Sequence, residues 1–373
     1  MKIGVIGSGA MGSGIAQVAA QAGHEVVVYD QQMAALERSQ KGLASTMAKL
    51  VEKGKLSLVQ SDEIMNRISF QESLDSLASS ELVIEAIVEN LEVKKALFKS
   101  LEMLVKESCI IATNTSSLSV TAIASACSNP QRFIGIHFFN PAPLMPLVEI
   151  IPALQTDDHL PEKCKSIIAS WGKVPVICKD TPGFIVNRVA RPFYSEALRI
   201  YDEGIADMST IDHAMRLLGF RMGPFELMDM IGHDVNYTVT ESVFAAMYFD
   251  PRFRPSITQK KLVEAGWLGR KTGRGFYRYA DGVETPSPST DDSLLRSIGM
   301  RVLSMLINEA YDAVYYSVAS ADDVDLAMTK GVNYPKGLLV WGREIGIENV
   351  RSHMNDLYRN YNEDRYRVSP GLK

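Results

Sequence analysis

Short apolar runs and longer helix-favouring stretches alternate along the first half of the chain. Ile3–Ile6, Val26–Tyr29 and Leu82–Ile87 read as buried strands, and Arg67–Phe70 and Cys109–Ala112 as two shorter ones. Between them, Ser13–Ala20, Met33–Lys53, Glu92–Val105 and Ser119–Ala126 read as helices. Elements alternating in this order predict a parallel sheet with helices on both faces.

The first turn sharpens that expectation. Gly7-Ser8-Gly9-Ala10-Met11-Gly12 follows the first strand without a gap, a helix comes next, and the second strand runs into Asp30. Gly7 permits a tight turn, Gly9 lets the backbone approach a pyrophosphate, and Gly12 lets the helix sit close to the strand. The helix start adds unpaired N–H groups and a partial positive charge. Asp30 lies 23 residues after Gly7 (30 − 7), near the roughly 20 expected of a carboxylate that accepts from ribose hydroxyls. Its charge repels a 2′-phosphate, and Gln31 and Gln32 offer no arginine to hold one. The pattern predicts a Rossmann-type doubly wound sheet that binds NAD rather than NADP.

Length and composition bound the rest. At 373 residues the chain exceeds what one hydrophobic core usually holds, so two or three domains are expected. Its 39 basic and 44 acidic side chains give a net charge of −5. That argues against a nucleic-acid binder, while leaving room for a local cationic patch. No apolar run approaches the ~20 residues that span a bilayer. The strand pattern opens at Ile3 and leaves no space for a signal peptide, so a cytoplasmic protein without a membrane partner is expected. Cys109, Cys127, Cys164 and Cys178 form no CxxC pair and join no His cluster. They read as packed, reduced thiols, and no metal site is expected.

Several polar residues break the local pattern, and such breaks tend to mark sites. Asn114-Thr115-Ser116-Ser117 follows a strand, where loops line the ligand crevice of an open α/β sheet. Ser117 or Ser119 can cap the next helix while Ser116 points at a substrate. His137 sits in an apolar run, as does Glu149, and a lone buried carboxylate there would be costly. The two are twelve positions apart (149 − 137), with Asn140-Pro141 and Pro143 between them to redirect the chain. Two neighbouring strands can therefore bring imidazole and carboxylate together. A glutamate that accepts from one imidazole nitrogen fixes the tautomer and stabilises the imidazolium, leaving the other nitrogen as a general base. Asn187 falls among Phe184, Ile185, Val186 and Val189, in a helix that follows the Pro182-Gly183 turn. Its amide can reach a substrate oxygen or serve an interhelical hydrogen bond.

These stretches together resemble the 3-hydroxyacyl-CoA dehydrogenases of fatty-acid β-oxidation and related pathways. The resemblance rests on Gly7–Gly12 with Asp30, Val83–Glu89, Asn114–Leu118, Gly135–Pro141, Asp180–Arg188, Met222–Asp229 and Gly269–Tyr277, in the family's order over residues 1 to about 280. It implies an α/β NAD-binding domain over 1–180 and an all-α domain over 181–280. It further implies that His137 takes the proton from the 3-hydroxyl while hydride leaves C3 for the nicotinamide. Glu149 would orient His137, and Ser116 and Asn187 would hydrogen-bond the reacting substrate. Glu89, Lys94, Asn140 and Lys271 correspond to positions that touch NAD. Thr46 and Lys53 correspond to positions that contact coenzyme A, whose anionic groups suit a lysine.

The family's shorter members end near Tyr279. Here residues 280–292 read as a linker, and 293–373 as a degenerate repeat of the helical domain. Arg188, Glu196 and Asp212 recur as Arg301, Glu309 and Asp325, each 113 positions on (301 − 188, 309 − 196, 325 − 212). With one inserted residue, Gly223–Gly232 recurs as Gly337–Gly346. Glu226, Asp229 and Asn187 become Val340, Arg343 and Met300, so the second copy reads as structural. In the short members two subunits pair through the helical domain. A second copy in one chain could take the partner's place, with a homo-oligomer as the alternative.

The expected reaction is the reversible NAD-dependent oxidation of a (3S)-hydroxyacyl-CoA to the 3-oxoacyl-CoA, on a short chain such as 3-hydroxybutyryl-CoA. The alternative substrate is 3-hydroxyadipyl-CoA, whose distal carboxylate asks for an arginine; Arg188, Arg191 and Arg221 are candidates. β-Hydroxyacid dehydrogenases share the amino-terminal fold but use a helix lysine where Asn187 stands. A non-catalytic NAD-binding protein on this scaffold is disfavoured, because all four candidate catalytic side chains are present.

Overall fold

Buried apolar strands alternate with helices through residue 177, as the pattern requires. In the computed structural model, which describes residues 1–280 and 282–372, the first unit is Met1–Thr181. It contains, in order, β1 (Lys2–Ile6), α1 (Ala10–Gln21), β2 (Glu25–Tyr29), α2 (Met33–Glu52), α3 (Leu58–Asn66), β3 (Ile68–Gln71), β4 (Leu82–Glu85), α4 (Leu91–Leu104), β5 (Ile110–Thr113), α5 (Val120–Ala124), β6 (Phe133–Phe138), β7 (Leu147–Pro152), α6 (Leu160–Ser170) and β8 (Val174–Ile177). The strands form one sheet in the order β3-β2-β1-β4-β5-β6-β7-β8. Strands β1, β4 and β5 are buried along nearly their whole length, which is why they read as continuous apolar runs rather than as alternation.

Two features depart from the sequence reading. The sheet is not wholly parallel, because β7 runs antiparallel to β6. Only residues 139–146 connect them, too few for the crossover that parallel neighbours need. The second departure is α3, which the apolar periodicity did not reveal. Ser57 Oγ accepts from Gln60 N, and Gln60 Oε1 accepts from Ser57 N, a reciprocal cap that starts this helix. The four cysteines are free and buried. Burial pushes the Cys109 thiol up to about 11 and those of Cys127 and Cys164 to about 12. Among the described residues no helix is long and apolar enough to cross a membrane.

The second unit, Pro182–Lys373, is helical. It contains α7 (Val186–Val189), α8 (Arg191–Asp202), α9 (Met208–Leu217), α10 (Pro224–Ile231), α11 (His233–Ala246), α12 (Ile257–Glu264), α13 (Asp292–Tyr315), α14 (Ala321–Gly331), α15 (Leu338–Ile345) and α16 (Ile347–Tyr361). The run α13–α16 repeats α8–α11 in order and in detail. Asp212 on α9 accepts from Phe225 N and Glu226 N, at 2.8 and 3.0 Å. Asp325 on α14 accepts from Leu339 N and Val340 N, at 2.7 and 3.1 Å. A Cβ on Gly223 would stand 2.3 Å from Asp212, and one on Gly337 2.3 Å from Asp325, so each turn needs its glycine.

The two copies hold each other by exchanged ion pairs. Arg188 Nε donates to Glu309 Oε1 at 2.7 Å, and its counterpart Arg301 Nε donates to Glu196 Oε1 at 2.6 Å. Arg252 pairs with Glu309 and Arg365 with Glu196, both at 3.1 Å, and these arginines too are 113 apart (365 − 252). All of these side chains are buried. Residue i meeting j′ while j meets i′ is the signature of a twofold interface. Here it lies inside one polypeptide.

Candidate active site

Strand β1 runs directly into the glycine turn. Gly7 adopts φ +99°, and its N–H donates to Tyr29 O at 2.8 Å. A Cβ on Gly12 would lie 1.8 Å from Gly7 O, so no other residue fits where α1 crosses the turn. A Cβ on Gly9 would meet open space, and no side chain caps the start of α1. Just past β2, Asp30 Oδ2 accepts from Ser8 N at 2.9 Å and from Ser8 Oγ at 2.8 Å. An open glycine, an uncapped helix start and a carboxylate held beside them fit the diphosphate and ribose of NAD.

A second polar group lies where β4 and β5 end. Glu85 closes β4 and is fully buried. Its carboxylate accepts from Thr113 Oγ1 at 2.7 Å, from Ile87 N at 2.7 Å and from Lys94 Nζ at 2.5 Å. Lys94, buried on α4, also pairs with Glu89 at 3.2 Å. Glu89 Oε1 in turn accepts from Thr115 Oγ1, Ser116 N, Ser117 N and Ser117 Oγ. Burial alone would raise the Glu89 pKa, but Lys94 and these donors outweigh it and hold the carboxyl below its usual value. Lys94 thus joins two carboxylates and fixes the loop that carries Ser116. Ser119, not Ser117, caps α5, accepting from Ala122 N. Asp180 reinforces that helix start by accepting from Ser119 Oγ, Val120 N and Thr121 N.

The histidine and glutamate meet as their spacing predicts. His137 on β6 stands directly opposite Glu149 on β7. His137 Nδ1 lies 2.7 Å from Glu149 Oε2, with exposures of 5% and 0%. With Glu149 ionised, Nδ1–H donates to it, and the ring tautomer is set. Asn114 Oδ1 accepts from Phe138 N at 2.8 Å, which ties the loop bearing Ser116 to the strand bearing His137. Asn140 follows two residues after β6 and is exposed.

A cavity of about 590 Å³ opens beside the glycine turn, between α1 and α2. Ser8, Gly9, Ser13, Arg38 and Thr46 line it, together with Pro143 from the loop after β6. Thr46 is therefore at the cavity, whereas Lys53 caps the end of α2 outside its lining.

Asn187 and Lys271 belong to the second unit. Asn187, half-buried on α7, has no hydrogen-bond partner among the described residues. Lys271 Nζ lies 2.6 and 2.7 Å from the Asp234 carboxylate oxygens. Its segment, Gly269–Tyr279, is held by buried Asp229, which accepts from Phe276 N, Tyr277 N and Tyr279 Oη and pairs with His233 Nε2 at 2.7 Å.

Sequence reasoning gave no role to Glu85, Asp180 or Arg38. Glu85 carried the same signal as Glu149, a carboxylate in an apolar run. The other two become visible only when the chain is folded.

The model of the 3-hydroxyacyl-CoA dehydrogenase NAD binding domain matches residues 2–181, and that of the 3-hydroxyacyl-CoA dehydrogenase C-terminal domain matches 183–279 and 298–373. The chain is 39% identical to a 3-hydroxyadipyl-CoA dehydrogenase of Escherichia coli, over 98% of this chain and 95% of that one. It is 42% identical to a 3-hydroxybutyryl-CoA dehydrogenase of Bradyrhizobium diazoefficiens, over 77% of this chain and 98% of that one. The crystal structure of a 3-hydroxybutyryl-CoA dehydrogenase from Escherichia coli superposes with a TM-score of 0.93 at 37% identity, covering 100% of this chain and 97% of that one. Matched over both units, the chain belongs to the 3-hydroxyacyl-CoA dehydrogenase family.

Proposed function

We propose that this protein catalyses the reversible, NAD-dependent oxidation of a short (3S)-hydroxyacyl-CoA, such as 3-hydroxybutyryl-CoA, to the 3-oxoacyl-CoA. The observation that carries this reading is the buried His137–Glu149 pair at 2.7 Å. Glu149 holds the His137 ring and stabilises its protonated form, while Nε2 accepts the proton of the 3-hydroxyl. Ser116 and Asn187 are assigned to hydrogen-bond the reacting substrate. Gly7, Gly9, Gly12 and Asp30 hold NAD, with Glu89, Asn140 and Lys271 completing its contacts and buried Lys94 acting through Glu89, with which it pairs at 3.2 Å; when bound, NAD supplies the hydride acceptor. Thr46 and Lys53 are assigned to coenzyme A. Appearance of NADH absorbance on mixing the protein with NAD and 3-hydroxybutyryl-CoA tests the reading; no NADH from this or any other (3S)-hydroxyacyl-CoA would overturn it.

We also infer that the second helical copy stands in for a partner subunit. The exchanged pairs Arg188–Glu309 and Arg301–Glu196 support this, because they give one chain a self-complementary contact. Light scattering on the full chain should return the mass of one polypeptide, 41.2 kDa. A stable dimer would contradict the inference.

A further inference from the structure

The second unit neutralises its buried arginines with care, except for one. Arg188 faces Glu309 and Asp312, Arg252 the same two acids and Asp250, Arg301 faces Glu196 and Glu203, and Arg365 faces Glu196. Arg191, at the start of α8, is only 5% exposed and pairs with no carboxylate among the described residues. Its Nη1 donates to Thr240 Oγ1 at 3.1 Å, its guanidinium lies over the Tyr194 ring at 5.0 Å, and its Nε has no acceptor. Ser195 Oγ, next in the same helix turn, and Tyr334 Oη are buried and unpartnered as well. Burial pulls the Arg191 pKa down, the direction expected of a cation that lacks a counter-ion. A buried guanidinium without an anion is costly, and a ligand carboxylate would remove that cost.

We infer that Arg191 is a specificity residue that receives the distal carboxylate of a dicarboxylic 3-hydroxyacyl chain. This rests on the proposed dehydrogenase reading and on the place given to Asn187. Only Ala190, itself in the α region at φ −80° and ψ −11°, separates α7 from α8. Asn187 and Arg191 are therefore four residues apart across the α7–α8 joint, about one turn of α-type backbone, with a rise of about 6 Å between their Cα atoms. In a 3-hydroxyadipyl chain, three carbon–carbon bonds separate C3 from the terminal carboxylate. Extended, they span roughly 3.5 Å, as the three bonds of one extended backbone residue do. Adding the hydroxyl at one end and the carboxylate oxygens at the other gives a span comparable to that one-turn backbone rise. Of the three arginines named as candidates, Arg188 is already neutralised and Arg221 is exposed.

The test is the ratio of kcat/KM for 3-hydroxyadipyl-CoA over 3-hydroxyhexanoyl-CoA, a pair that differs at the distal end. The full-length protein should favour the adipyl substrate by roughly 10²-fold, and Arg191→Met should erase that preference, mainly through KM. Arg191→Lys, which keeps the charge, should retain part of it and serves if the Met variant fails to fold. A wild-type ratio within threefold of one, or an adipyl preference surviving in the Met variant or entirely lost in a folded Lys variant, overturns the assignment. Oxidation of neither substrate sinks the dehydrogenase reading itself, whereas oxidation of both without preference sinks only the role of Arg191.

Discussion

The ammonium of Lys94 lies 2.5 Å from Glu85 Oε1, with both side chains out of reach of water. The carboxylate at the end of β4 is thus neutralised from α4, and the same ammonium reaches on to Glu89. Replacing Lys94 with Met should strand a buried carboxylate and cost about 3–5 kcal/mol of stability. Urea unfolding followed by a signal from the first unit measures it, and an unshifted midpoint would show that the pair contributes nothing. NAD affinity should fall in the same variant, since the Glu89 network loses its cation.

Arg38, Gly42 and Thr46 recur every four residues on α2 and line the same cavity. Arg38 makes no ion pair among the described residues. If the nucleotide end of coenzyme A lies there, Arg38→Ala should raise KM for 3-hydroxybutyryl-CoA by about tenfold. The corresponding pantetheine thioester, which lacks the nucleotide, should respond little. Equal changes for both substrates would remove Arg38 from the coenzyme A site.

The joint between the helical copies should show an acid dependence. Glu203 accepts from Arg301, Arg199 and Tyr361 at 2.7–2.8 Å. Burial alone would raise its pKa, but these donors bring it down to about 2 from 4.5. A carboxyl depressed in the folded state stabilises above its unfolded pKa and loses that contribution as pH falls through the folded one. Stability should therefore decline as pH falls from about 4.5 towards about 2. Thermal unfolding of Glu203→Gln across this window should give a shallower slope than the parent, and identical slopes would count against the pair.

Much of this was legible in the sequence because it depends on short-range rules. The glycine turn, Asp30 and the alternating elements follow from local spacing. The His137–Glu149 pairing follows from two costly placements twelve positions apart (149 − 137). The reciprocal cap of α3, Ser57 with Gln60, was also written locally but carries no apolar period. What could not be read depends on distant partners. Arg188 and Arg191 look alike in sequence, and what separates them is Glu309 and Asp312, more than a hundred residues away. The burial of Lys94 likewise depends on Glu85 reaching it across the end of the sheet.

The central claim is that Glu149 makes His137 an effective base, and Glu149→Gln tests it with almost no change of shape. Its kcat for 3-hydroxybutyryl-CoA should drop by about 10²–10⁴-fold. Binding of NAD, measured on the same sample by fluorescence titration, should remain nearly intact. Turnover equal to the parent would contradict the account.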